Sequence, residues 1–299
     1  MTASEEQLAA LPNGIELCYQ TFGDPTAEPL LLVMGLACSM VWWHDELCEE
    51  LAEAGFHVIR FDNRDIGGSS RLRGRVTLPM LTRAFAGVPT RAPYSLSEMA
   101  DDAVGLLDVL GIERAHVCGV SMGGMIAQTL AVEHPERVSS LVSVMSTTGS
   151  RYVGWQHPIV LPTMLRTSRG RDAYLERMVG FWRLIGSPAY RTPVEETRAL
   201  AGVSWDHGVS GAGIGRQMMA ILTQRDRTKA LRSVSAPTAV VHGLADRMVH
   251  VSGGRATAKA VPGARLRLIE GMGHDLPRPL WPTFVEVVRE TADRAHATA

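Results

Sequence analysis

Lysine is almost missing from this 299-residue chain: all but two of its 30 basic residues, Lys229 and Lys259, are arginine. The arginines are dispersed, and 31 acidic residues balance them to a net charge of −1, so nothing marks a nucleic-acid partner or a strongly charged one. Cysteine is scarce as well. Cys18, Cys38, Cys48 and Cys118 stand in dissimilar contexts without CxxC or His-rich spacing, which suggests neither a disulfide framework nor a metal site and leads to the expectation of reduced thiols. Long apolar runs are absent too: the greasiest stretch, Leu30 to Leu36, is strand-sized, so no membrane span is expected. The opening Met1-Thr2-Ala3-Ser4-Glu5-Glu6 has neither the basic nor the apolar region of a secretory signal, and a cytoplasmic location is expected. No Walker lysine or strand-borne GxGxxG accompanies the Gly-rich run Asp62-Asn63-Arg64-Asp65-Ile66-Gly67-Gly68-Ser69. That run reads as a structural strand-to-helix turn, and no cofactor is expected.

What is present is alternation. Apolar strand patterns occur at Ile15–Phe22, Pro29–Met34, His57–Phe61, Ala115–Val120, Val138–Met145, Thr238–His242 and Ala264–Glu270. Helical patterns lie between them, at about Asp45–Ala54, Leu96–Leu110, Met122–Glu133, Gly253–Ala260 and Leu280–His296. Strands that read as continuous apolar runs, separated by helices, predict an α/β fold with a mostly parallel central sheet covered on both faces. Between Thr147 and Lys229 the alternation fails and only helical patterns remain, near Pro158–Thr167, Arg171–Ile185, Pro193–Trp205 and Gly213–Arg225. The expected organisation is therefore a first core segment 1–146, an all-helical cap 147–229 and a second core segment 230–299. Most of the Trp and Met residues of the cap (Trp155, Met164, Met178, Trp182, Trp205, Met218, Met219) are expected in its core, with Trp182 and Met218 facing an apolar pocket.

The chemistry is concentrated in Gly119-Val120-Ser121-Met122-Gly123, where an apolar strand breaks at Gly-x-Ser-x-Gly and continues into a helix. This is the pattern of a nucleophile elbow: a serine on a strained turn, with minimal residues two positions either side and a helix N-terminus that favours a developing oxyanion. A serine nucleophile needs a base, and the base an orienting acid. In chain order after Ser121, Asp246 follows the strand ending at His242, and His274 lies in Gly271-Met272-Gly273-His274-Asp275 after the last strand. Both would sit at the C-terminal edge of the sheet. The chain has ten histidines, and only His274 combines that order, a post-strand loop and Gly neighbours. The loop Met34-Gly35-Leu36-Ala37-Cys38 supplies the Leu36 N–H as partner to the Met122 N–H in an oxyanion hole, with Gly35 against the substrate.

Together these motifs, with Glu133-His134-Pro135-Glu136-Arg137-Val138, resemble the α/β-hydrolase superfamily over nearly the whole chain. Met34 before Gly35, and Phe61-Asp62-Asn63-Arg64-Asp65, are similar to cap-bearing esterases of the aclacinomycin methylesterase type. The resemblance implies the triad Ser121, Asp246 and His274 and hydrolysis of a small lipophilic ester, with a methyl ester as one form. Carbon–carbon bond hydrolases and cofactor-free perhydrolases keep the same triad, and a triad-bearing ligand receptor is the non-enzymatic alternative. The cap's apolar stripe offers no evident counter-charge, so charged esters are expected to be poor substrates.

Overall fold

The computed structural model describes residues 3–164, without the Met164 side chain, and 168–296. Among these, eight strands form one sheet: β1 (Gln7–Ala10), β2 (Glu16–Phe22), β3 (Glu28–Val33), β4 (Phe56–Phe61), β5 (Ala115–Val120), β6 (Val138–Val144), β7 (Thr238–Gly243) and β8 (Arg265–Ile269). Their order is β1-β2-β4-β3-β5-β6-β7-β8. β2 runs antiparallel to β1 and β4, and every pairing from β4 to β8 is parallel. The order reverses at β3, so the chain winds to both sides of the sheet and leaves the C-terminal ends of β3, β5, β7 and β8 on a common edge.

Alternation within each strand builds two cores. Leu31 and Val33 of β3 join Val117 of β5 on one face, beneath helices α3 (Leu96–Val109) and α4 (Met122–Glu133), with α9 (Ser252–Ala260) packed beside β7 on that face. Leu30 and Leu32 join Cys118 and Val120 on the other, beneath α1 (Asp45–Glu53) and α10 (Trp281–His296). Each such buried aliphatic side chain contributes about 1.5–3 kcal/mol, and because both faces are covered the strands carry no polar register.

The segment between β6 and β7 contains α5 (Leu161–Met164), α6 (Arg171–Ile185), α7 (Val194–Gly208) and α8 (Gly211–Thr223), and no strand among its described residues. The expected helix at Pro158–Thr167 is a 3-10 turn followed by α5; its last residues, 165–167, and the Met164 side chain lie outside the described set. One strand and one α-helix escaped the sequence pattern. β1 buries only Ala9, so its four residues carry no alternation to detect. α2 (Leu78–Phe85) buries only Ala84 and leaves Leu78 and Phe85 exposed, because its partner is the helical insertion, through α8, rather than the sheet.

Candidate active site

Ser121 occupies the turn from β5 into α4 with φ 57° and ψ −117°, a conformation that L-residues rarely hold. The surroundings enforce it. A Cβ on Gly119 would lie 2.2 Å from the Gly123 carbonyl oxygen, and one on Gly123 would lie 2.0 Å from that of Val33, so any larger residue would push the turn apart. Ser121 N–H donates to the Val144 carbonyl at 2.9 Å, and the Ser146 hydroxyl donates to the Ser121 carbonyl at 2.8 Å. β6 thus holds the elbow from beside.

The sheet edge brings the predicted partners to it. His274 Nε2 lies 2.9 Å from Ser121 Oγ, and His274 Nδ1 lies 2.7 Å from Asp246 Oδ2. Asp246 Oδ1 accepts the Met248 and Val249 N–H groups at 2.8 and 2.9 Å. Burial pushes the Asp246 carboxyl up, but the charge of His274 and hydrogen bonds from His242 and His274 outweigh it and hold the group at about 2. His242, for which no site role was expected, stands behind the acid: its Nε2 lies 2.8 Å from the Val249 carbonyl oxygen and 3.5 Å from Asp246 Oδ2. The nearby thiols are inert alternatives, because burial pushes Cys38 and Cys118 up to about 12 and leaves no thiolate near neutral pH.

Gly35 packs against the serine: a Cβ there would lie 3.2 Å from Ser121 Cβ. The Leu36 and Met122 N–H groups donate to no acceptor among the described residues, which leaves both amides available beside the serine. Two side chains that sequence reasoning missed fix this loop. Asn63 Nδ2 donates to the Met34 carbonyl at 2.9 Å, and Gln217 Oε1 on α8 accepts the Ala37 N–H at 3.0 Å. Asn63 lies in a run already singled out, whereas Gln217 had no local signal, because its role exists only once α8 has docked.

The run Asp62 to Ser69 is the structural turn expected, and it is also where the insertion attaches. Asp65 accepts Arg216 Nε and Nη2 of α8 at 2.7 and 2.6 Å and the Tyr94 hydroxyl at 2.8 Å. Asp62 Oδ2 lies 2.6 Å from His207 Nε2 of α7.

Ser121 and His274 open onto a cavity of about 1570 Å³ between the sheet edge and the insertion. Gly35, Trp182 and Met218 lie on its wall, and α2 adds Leu81 and Phe85. Trp182 packs against Trp42 at a tilt of 33° with ring centroids 4.8 Å apart, and its buried Nε1 has no partner among the described residues. Met178 and Trp205 also reach the wall while packing in the small insertion core around Tyr174, and Met219 is fully buried. The lining differs from the sequence expectation in one respect. Arg177, Arg191 and Arg247 reach the wall, and so does Asp275, so the cavity does hold charge that could meet a charged substrate.

The pattern described as the alpha/beta hydrolase fold matches residues 28–277. The chain belongs to that family. It is 31% identical to rhodomycin D methylesterase of Streptomyces peucetius over 284 residues, covering 88% of this chain and 90% of that one. It is 32% identical to rhodomycin D methylesterase of Streptomyces sp. (strain C5) over 286 residues, with the same coverage of 88% and 90%. A hydrolase from Pseudomonas aeruginosa PA01 superimposes with a TM-score of 0.72 at 23% identity, covering 98% of this chain and 99% of that one. The last likeness concerns the fold alone. As a member of this family, with methylesterases among its relatives, the chain is a hydrolase. Among the described residues, no helix is long and apolar enough to cross a membrane.

Proposed function

We propose that the chain is a serine carboxylesterase that works through an acyl-enzyme, with Ser121, His274 and Asp246 as its triad. The observation that carries this reading is the bridging imidazole, 2.9 Å from Ser121 Oγ and 2.7 Å from Asp246 Oδ2 at the floor of a large cavity. His274 Nε2 takes the hydroxyl proton as Ser121 Oγ attacks the ester carbonyl, and Asp246 holds the Nδ1–H tautomer and the imidazolium that forms. The oxyanion receives the Leu36 and Met122 N–H groups, placed before the reaction at no further cost in reorganisation. Collapse expels the alcohol with the proton from His274, and water repeats the sequence to release the acid.

The two methylesterase relatives support a methyl ester as the scissile group. A cavity of about 1570 Å³, above the usual 300–1,000 Å³ of small-ligand sites, favours a bulky lipophilic acyl part. In this reading residues 147–229 are a cap that shapes the pocket. A cytoplasmic site of action belongs to the same proposal: the four cysteines are free thiols, a state that a reducing compartment preserves.

Labelling with an organophosphonate, followed by a panel of methyl and aryl esters, tests the assignment. A single adduct on Ser121 with ester turnover supports it. Labelling accompanied by carbon–carbon cleavage or perhydrolysis in place of ester turnover would move the protein to another chemistry on the same triad. Binding without an adduct or turnover would make the chain a receptor-like module.

A further inference from the structure

The loop that carries His274 is stitched to the helical insertion just after α6. His274 N–H donates to the Ile185 carbonyl at 2.8 Å, and Gly273 N–H donates to Ser187 Oγ at 2.9 Å. Ser187 in turn directs both of its donors at Asp275: its N–H reaches Oδ1 at 3.0 Å, and its hydroxyl donates to the same oxygen. Three consecutive residues around the base, 273–275, are thereby bonded to two on the insertion, Ile185 at the end of α6 and Ser187 just beyond it. The fit leaves no slack. A Cβ on Gly273 would lie 2.5 Å from the Ile185 carbonyl oxygen, and Ser187 is 2% exposed.

The imidazole's own polar contacts are to Asp246 and Ser121, the groups it must serve. Its height and tilt over the serine are therefore inherited from the backbone of 273–275, and the insertion fixes that backbone from above. We propose that Ser187, acting with Asp275, is a positioning residue for His274: one hydroxyl accepts from Gly273 and donates to Asp275, locking the base's loop to the insertion. The inference rests on the triad reading and adds that the insertion takes part in assembling the triad as well as covering the substrate.

Ser187→Ala removes both bonds of the hydroxyl while leaving the volume nearly filled. Because a displacement of about 1 Å can cost about 10²-fold in rate, kcat is expected to fall roughly ten- to a hundredfold, with KM little changed. Asp275→Ala should give a similar loss. Asp275→Asn, whose amide oxygen still accepts both Ser187 bonds, should recover most of it, and the double variant Ser187→Ala/Asp275→Ala should be no worse than either single. Steady-state kinetics on one ester, with thermal unfolding of each variant, reads all four, and the Asp275 pair decides the question if Ser187→Ala does not fold. Unchanged kcat in Ser187→Ala, a change confined to KM, or Asp275→Asn as impaired as Asp275→Ala would overturn the proposal. Failure of the triad reading shows separately, as full activity in Ser121→Ala with Ser187 intact.

Discussion

His207 Nε2 on α7 lies 2.6 Å from Asp62 Oδ2 at the end of β4, a contact between residues 145 positions apart. The same carboxylate accepts the Met40 N–H at 2.7 Å and the Gly68 N–H at 2.9 Å, so one buried group serves the core, the strand-to-helix turn and the insertion. His207 Nδ1 also lies 3.4 Å from Glu6 Oε1. The bond to Asp62 raises the His207 imidazole above its ordinary value, although burial and nearby Arg60 oppose this.

A group raised in the folded state stabilises it most below the unfolded value, and the benefit is lost as pH rises through the folded value. Stability from this contact is thus fully present below about pH 6.5 and declines on the alkaline side of it. Denaturation midpoints followed from about pH 6 to 9 should fall in the wild type, and this component of the slope should vanish in His207→Gln. Equal slopes in both proteins would assign the pH dependence elsewhere.

Arg216 and Asp65 form a two-pronged pair with side chains 5% and 0% exposed. Removing one member leaves a buried charge, a loss of about 3–5 kcal/mol. Arg216→Met should show that loss in urea denaturation. A loss below about 1 kcal/mol, the size of an exposed pair, would mean that water reaches Asp65 freely.

Ser121→Ala should lower kcat by about 10⁴ to 10⁶, because the proposed mechanism makes the hydroxyl the nucleophile and the elbow accepts a smaller side chain. Circular dichroism and the unfolding midpoint should be retained. More than about a tenth of wild-type activity would exclude Ser121, since residual catalysis without a triad nucleophile is far lower.

With Asp246 ionised down to about pH 2, the carboxylate cannot set an acid limb near neutrality. Esterase kcat/KM should fall on acidification, because a protonated His274 cannot take the serine proton. A profile that stays flat on acidification until the protein unfolds would remove His274 from the role of base.

Each methylene buried in the cavity contributes about 0.8 kcal/mol, so lengthening or aromatising a neutral ester should raise kcat/KM severalfold until the space is full. Trp182→Ala and Met218→Ala should flatten that rise. An unaffected series would place substrate choice on other wall residues, such as those of α2. Anionic esters compared with their neutral isosteres would show whether the wall arginines act on substrate.

The sequence by itself determined what depends on local chemistry and chain order. Apolar runs specified seven of the eight strands to within about two residues, because the central strands are buried on both faces and carry mostly apolar residues, while the edge strand β8 keeps apolar residues at alternate positions although Arg265, Leu266 and Arg267 are exposed. Gly119, Ser121 and Gly123 were legible because a turn that tight admits only one residue pattern. Asp246 and His274 were legible because each follows a strand, at the edge where loops converge. Only the tertiary structure decided how the insertion grips the core. Gln217 on the Ala37 amide, His207 on Asp62, Arg216 on Asp65 and Ser187 on the His274 loop all join residues 86 to 180 positions apart. No periodicity encodes such pairs: a buried polar side chain is satisfied by whatever docking brings opposite it, and that partner is fixed by the fold as a whole. The same holds for α2, whose apolar side faces the cavity rather than the sheet and so matched no core-facing pattern until the insertion stood over it.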